Sequence, residues 1–160
     1  MAHYYPPVAF HFKVEVLDLG RPNDNDMRFT DVGGLSMELA TEELAEGGEN
    51  RFVQKFPVRG KYPELTLKRG VLVGSEVFNW IRSWIQEFDV EHKPPLTPKN
   101  IDVKLLDKDH QPLITWHLVN AYPTKWSVSD LSASANSVSV ESLQFFYQHF
   151  TVDSVSAAGA

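Results

Sequence analysis

Ile101-Asp102-Val103-Lys104-Leu105-Leu106-Asp107-Lys108-Asp109-His110-Gln111-Pro112-Leu113-Ile114-Thr115-Trp116-His117-Leu118 alternates apolar and polar side chains on either side of a polar break. Ile101, Val103 and Leu105 alternate with Asp102 and Lys104, and Ile114, Trp116 and Leu118 resume the period beyond Asp107-Lys108-Asp109-His110. A period of two sends successive side chains to opposite faces, so each arm is a strand with one dry face. The short polar turn between them makes the pair an antiparallel hairpin.

The same alternation extends upstream. Val8, Phe10, Phe12, Val14 and Val16 alternate with Ala9, His11, Lys13 and Glu15, and Asn23-Asp24-Asn25-Asp26 then reads as a turn. Phe29 to Val32 forms a short strand stopping at Gly33-Gly34, and Leu35, Met37 and Leu39 resume the period. Leu65 and Leu67 mark a strand ending at Arg69-Gly70. Downstream, Val138 and Val140 lie on one phase and Leu143, Phe145 and Tyr147 on the other. That slip predicts a β-bulge near Glu141-Ser142, or a place where both faces are covered.

One segment changes period. After Ser75, a good N-cap, the residues Val77, Phe78, Trp80, Ile81, Trp84, Ile85 and Phe88 share one arc of a helical wheel, while Glu76, Asn79, Arg82, Ser83, Gln86 and Glu87 take the other. Pro94, Pro95 and Pro98 begin a loop. The expected fold is mainly β, a barrel or sandwich of two antiparallel sheets, with one amphipathic helix at about Ser75–Phe88. With no repeat and no linker, residues 1–160 form a single domain, with its core at about 8–150 and a fraying tail at 154–160.

Composition narrows the chemistry. The chain has 160 residues, 42% hydrophobic and 22% charged, as in ordinary globular domains. The net charge of −6 argues against a general phosphate-binding surface. No cysteine is present, which removes disulfides, thiolate zinc sites and cysteine nucleophiles and fits a reducing cytoplasm. The N-terminus has no signal-peptide pattern, and no apolar run approaches the ~20 residues that span a bilayer.

Catalytic motifs find no foothold. His3, His11, His92, His110, His117 and His149 form no short ligand spacing, and His11, His117 and His149 fall in strand patterns, where a satisfied half-buried histidine is commoner than a metal ligand. Gly34-Leu35-Ser36-Met37-Glu38 lacks the last glycine of a nucleophile elbow and the helix that should follow. Asp24 and Asp26 lack the rest of a calcium loop and read as turn residues. The carboxylate pair Glu42-Glu43 has no apolar pocket to raise a pKa. No catalytic, cofactor or metal site is expected.

The unusual stretch lies between Leu35 and Gly70. Glu38, Glu42, Glu43, Glu46 and Glu49 come first; Arg51, Lys55, Arg59, Lys61, Lys68 and Arg69 follow, interrupted by Glu64. One reading is a hairpin with an acidic arm beside a basic arm, each exposed pair contributing little. The other is a two-signed projection meeting the opposite charge on another copy, a heterologous contact that generates rings or stacks. Residue patterning leaves both open.

Asp31-Val32-Gly33-Gly34-Leu35, Glu43 through Gly47-Gly48-Glu49-Asn50, and Lys61-Tyr62-Pro63-Glu64-Leu65-Thr66-Leu67-Lys68-Arg69-Gly70-Val71 resemble the N-terminal half of the contractile-phage tail tube proteins. The helix with Trp80 and Trp84 falls where that family has a tryptophan-bearing helix. Asn120-Ala121-Tyr122-Pro123-Thr124-Lys125-Trp126 and Asn136-Ser137-Val138-Ser139-Val140-Glu141 resemble the second half, so the resemblance runs in order from about Val8 to Phe150. The family includes the inner tubes of phage-derived extracellular injection systems and, more distantly, the type VI secretion tube.

The resemblance implies a structural protomer, not an enzyme, that needs no cofactor. Hexameric rings would stack into a hollow tube inside a contractile sheath, with baseplate, spike and tube-terminator proteins as partners and a protein effector or DNA as lumen cargo. Assembly would take place in the bacterial cytoplasm, the product being part of a virion or of a released or membrane-attached injection particle, with no membrane anchoring by this chain. The family's extended loop corresponds to about Leu44 to Phe56, so the expected intersubunit contacts are Glu42, Glu43, Glu46, Gly47, Gly48, Glu49, Asn50, Arg51 and Lys55. The motif positions Gly33, Gly34, Leu67, Lys68, Arg69, Gly70, Trp84, Asn120, Tyr122, Pro123 and Trp126 carry structural roles. A longer polar connection at Gly20–Met27 and a Pro-rich loop at Lys93–Lys99 depart from the plain pattern and leave a specialised baseplate-proximal ring as an alternative. Acidic balance would suit a lumen that repels a passing phosphate backbone.

Two other classes have residues to name. A monomeric β-barrel binding a small ligand would line its pocket with Trp116, Tyr122 and Trp126. A small hydrolase would pair Ser36 with His117 or His11.

Overall fold

The computed structural model describes residues 11–21, 24–44, 47–48, 53–88, 97–134 and 136–154. Alternating apolar residues build strands β1 (Phe12–Val16), β2 (Asp31–Gly33), β3 (Glu38–Leu44), β4 (Gln54–Lys61), β5 (Leu65–Gly70), β6 (Lys99–Leu106), β7 (Pro112–Val128), β8 (Val140–Phe146) and β9 (His149–Ser154). Helix α1 spans Glu76–Gln86, and its Ser75 cap accepts a hydrogen bond from the Phe78 amide. That bond satisfies one of the donors a helix start leaves open. Phe88 lies beyond the end of the helix and is exposed.

The hairpin read from residues 101–118 is present as β6 and β7, with Ile101 opposite Leu118 and Val103 opposite Trp116. Strand β7 continues well past it and serves two layers. Its first half pairs with β6 on one side and β9 on the other, with β1 beyond β6; its second half pairs with β8, followed by β5 and β2. The change of layer falls at Asn120-Ala121-Tyr122-Pro123. Asn120 has φ +52, a left-handed conformation that asparagine tolerates better than most residues, and its backbone amide donates a hydrogen bond to Asn100 Oδ1. The register then shifts between Pro123 and Lys125. No ladder among the described residues joins the outer strands to one another, so the layers form an open sandwich and not a closed barrel.

Between the layers lie Val14, Val16, Leu65, Leu67, Ile101, Val103, Leu118, Leu143 and Phe145, all buried, with Val77, Trp80 and Ile81 of α1. Each such side chain contributes roughly 1.5–3 kcal/mol by leaving water. Trp80 stacks on Phe145 with ring centroids 5.6 Å apart.

Three expectations are corrected here. No bulge interrupts β8: its ladder to β5 is continuous from Val140 to Phe145, and Glu141 points inward on the phase of Leu143 and Phe145. The apparent phase slip is a buried carboxylate standing at an apolar position. Met37 and Leu39 do not belong to a dry face, because they are 65% and 61% exposed. Asp26 is no simple turn residue. It sits in a short 3₁₀ turn, Asp24–Met27, and is fully buried. Strand β9, which the alternation did not separate from its predecessor, forms an edge beside β7. Val8, Phe10, Pro94, Pro95 and 155–160 of the expected tail lie outside the described residues, while Ser154 closes β9.

Candidate assembly surface

Among the described residues, strands β3 and β4 pair only with each other and stand apart from the seven-stranded sheet, with no other element packed closely against them. All of β4 is exposed, and so is all of β3 except Ala40. The acidic and basic arms do lie side by side: Glu43 is opposite Lys55 and Glu38 opposite Lys61. Lys55 Nζ approaches Glu43 Oε1 at 3.6 Å, an exposed pair that contributes roughly 0–1 kcal/mol. Charge alone does not hold this hairpin out.

Sequence reasoning stressed the charges and missed the apolar residues between them. Leu39, Leu44, Val53, Phe56 and Val58 are all exposed, Phe56 to 48%, with Phe56 directly opposite Glu42. The signal was present in the alternation of Phe56 and Val58 within a basic run. An isolated two-stranded hairpin is marginal in water, and a long exposed apolar one is a template for pairing with another chain. Of the expected contact residues, Glu42, Glu43 and Lys55 lie on this arm and Gly47 and Gly48 in a turn beyond β3, Gly48 with φ +107. Glu46, Glu49, Asn50 and Arg51 lie outside the described residues.

The chain enters the arm through Gly34. Its φ is +90, and a Cβ there would meet the Glu64 carbonyl oxygen at 2.1 Å, so only glycine fits. Tyr147 donates its hydroxyl to the Gly34 carbonyl at 3.3 Å, and burial pushes that phenol up to about 12, keeping it a donor.

At the opposite end of β5, Arg69 is the hub of a buried network. It bonds Glu141 through Nε, the Asp26 carbonyl through Nη1 at 2.9 Å, and Ser75 Oγ through Nη2 at 2.8 Å, and it lies 5.0 Å from the Phe29 ring. Trp126 Nε1 donates to Glu141 Oε2 at 3.1 Å, and the Glu76 amide donates to Asp26 Oδ2 at 3.2 Å. One guanidinium therefore ties β5, β8, the 3₁₀ turn and the start of α1. The remaining motif positions also serve the framework. Leu67 is core, and Lys68 lends its carbonyl to the Thr30 amide. Gly33 pairs with Thr66 and Gly70 with Val140. Trp84 stacks on Tyr122 at 5.1 Å, and Pro123 is buried at the corner of β7.

The outward face of the β1-β6-β7-β9 layer is polar. Lys13 and Lys104 flank Glu15 at 2.8 and 2.9 Å, and the Lys13 hydrogen bond leads in holding the Glu15 carboxyl below its usual range. His117 bridges three strands, with Nδ1 2.8 Å from Asp102 and Nε2 2.9 Å from Asp153. The hydrogen bond to Asp102, aided by Asp153, raises its pKa against a smaller opposing effect of burial. This histidine is satisfied by carboxylates, and among the described residues no group of three such side chains is placed to hold a metal ion.

The alternative sites do not assemble. Both nitrogens of His117 face carboxylates, and His11 Nε2 meets His110 at 2.8 Å, so neither imidazole is turned to Ser36 by these contacts. Trp116 packs on the core, Tyr122 on Trp84, and Trp126 against Phe78 and Glu141.

A model of the T4-like virus tail tube protein gp19 family matches residues 8–151. The chain belongs to that family. It is a tail tube protein of contractile injection systems, structural and not enzymatic. Among solved structures, this tube protein is similar to a chain of the anti-feeding prophage baseplate, at 26% identity and TM-score 0.81 over 96% of this chain and 99% of that one. It is similar to a chain of the sheath-tube complex of the extracellular contractile injection system PVC, at 25% identity and TM-score 0.73 over 94% and 93%. Hcp1 from Flavobacterium johnsoniae shares the fold at 16% identity and TM-score 0.54, over 91% of this chain and 97% of that one. No curated protein matches significantly. No helix among the described residues is long and apolar enough to cross a membrane.

Proposed function

We propose that this tail tube protein forms hexameric rings that stack into the hollow inner tube of a contractile injection machine, driven through a target envelope when the sheath contracts. The observation that carries this reading is the β3–β4 arm, an apolar, two-signed hairpin with no partner element among the described residues. β1 and β9, the outermost strands on opposite sides of one four-stranded layer among the described residues, supply ring-forming joints: strand pairing between them is heterologous and closes into a ring when the rotation permits. A six-fold symmetrised baseplate among the similar structures supports hexameric order, and similar chains from sheath-tube and terminator complexes support sheath and cap proteins as partners. Cytoplasmic assembly and a protein or DNA cargo belong to the same proposal.

A baseplate-proximal ring is the second reading. It is favoured by the likeness to the baseplate chain, whose TM-score of 0.81 exceeds the 0.73 for the sheath-tube complex. Sedimentation of the purified protein tests the first reading and separates it from the second. A tube subunit gives species of six protomers and long multiples of them, an initiator gives single rings that grow only when another tube protein is added, and a persistent monomer overturns both.

A further inference from the structure

The turn between β6 and β7 places a histidine in a backbone conformation that few side chains take. Asp107 Oδ1 accepts the amides of Asp109 and Gln111 at 2.8 and 2.9 Å, and the Asp107 amide donates to the Gln111 carbonyl at 2.8 Å. His110 closes this bend with φ +61, the left-handed position of a short hairpin loop, where glycine is the easy choice. Its ring reaches His11, the residue before β1. His110 Nδ1 lies 2.8 Å from His11 Nε2, with the rings edge to face and their centroids 4.5 Å apart. The His11 carbonyl accepts the Leu106 amide at 2.8 Å, so the pair sits beside a hydrogen bond that extends the β1–β6 ladder.

An imidazole–imidazole hydrogen bond needs one protonated ring nitrogen and one free lone pair. Two neutral rings meet that need, and so does a pair carrying one charge. A doubly charged pair does not, because both facing nitrogens then carry protons and two cations oppose each other. Glu15, the one acid of β1, is already held by Lys13 and Lys104 at 2.8 and 2.9 Å. The other charged groups around the pair are Asp107, Lys108 and Asp109 in the turn, and Asp18, Asp24 and Arg28 along the groove beside β1. We infer that His11 and His110 form an acid-opened clasp, which holds the start of β1 to the β6–β7 turn near neutral pH and releases it in mild acid. Opening binds the extra proton, so this contribution is present above the ordinary imidazole range, about 6.5, and is lost as pH falls below it. His117, at the other outermost strand, responds with the opposite sign. Resting on the reading of β1 as a ring joint, the clasp makes ring formation sensitive to acid.

Exchange of the Leu106 amide, taken relative to its intrinsic rate at each pH, reads the clasp in the unassembled protein. Its protection should fall about three- to tenfold from pH 7.5 to pH 5, the effect of one exposed hydrogen bond. His110→Gly, which suits the turn, should abolish that fall. His11→Gln should abolish it too, because an amide oxygen still accepts from a charged ring. Wild-type protection that stays level with pH, or falls equally in both variants, overturns the clasp. Sedimentation reads the consequence: wild type should need several-fold more protein to form rings at pH 5 than at pH 7.5, and His110→Gly should show a smaller ratio. An equal ratio in the two, with the exchange result as expected, overturns the link to assembly and leaves the ring reading intact. A chain monomeric at both pH values overturns the ring reading and that link with it, while the Leu106 result decides the clasp by itself.

Discussion

Arg69 and Glu141 face each other across the β5–β8 ladder, hydrogen-bonded and almost wholly buried, at 3% and 2% exposure. With Asp26 beside them, the cluster holds two acids and one guanidinium. Removing Arg69 would take from the buried Glu141 carboxylate its guanidinium partner. Arg69→Met is expected to cost about 3–5 kcal/mol, and Arg69→Met with Glu141→Leu less than Arg69→Met alone. Urea denaturation of the two variants measures the difference.

The tryptophans of α1 are unequal. Trp80 is buried against Phe145, whereas Trp84 is only half-buried on Tyr122. Trp80→Ala should destabilise by about 3–5 kcal/mol and Trp84→Ala by clearly less. Trp80 Nε1 has no hydrogen-bond partner among the described residues, so Trp80→Phe gives up no bond and should cost much less than Trp80→Ala. Denaturant midpoints rank the three.

Gly34 carries both a positive φ and a close approach to the Glu64 carbonyl. Gly34→Ala is expected to destabilise the entry to the arm by about 1–3 kcal/mol. Proteolysis between β2 and β3, read by mass spectrometry, should rise several-fold.

His117 links β7 to Asp153 on the edge strand β9. Its folded-state pKa lies above its ordinary 6.5, so its stabilising contribution is full below about pH 6.5 and fades as pH rises through the elevated value. The opposing groups are Asp102 on β6, Asp153 on β9 and, on the same face, Glu15, Lys13 and Lys104. Protection of the β9 amides, taken relative to their intrinsic exchange at each pH, should therefore fall on going from mildly acidic to alkaline pH. In His117→Gln that fall in protection should disappear.

Much of the framework was legible in the residues. Ile101 to Leu118 is a hairpin because its period and turn agree, and Ser75 caps a helix because its hydroxyl reaches the Phe78 amide. What misled was the assumption that an apolar residue in strand period faces the core. Leu39 and Phe56 obey the period and face solvent, while Glu141 breaks the hydrophobic pattern and faces inward because Arg69 waits there. Long-range partners of this kind leave no local trace. Only the resemblance gave Arg69 a structural role, and Asp26 read as no more than a turn residue.

Residue patterning pointed to Glu42, Glu43 and Lys55 through charge, whereas the proposed contact draws its strength from Leu39, Leu44 and Phe56, all exposed on the arm. Leu44→Asp with Phe56→Asp should fold with an unchanged circular-dichroism spectrum, since neither side chain touches the core, and should lose assembly more completely than Glu43→Lys.

Cryo-electron microscopy of the purified wild-type protein at high concentration tests the self-association claim most directly. The expected result is stacked six-fold rings in which Leu39, Leu44 and Phe56 are buried between copies. A monomeric protein, or rings in which those three side chains stay in solvent, would contradict it.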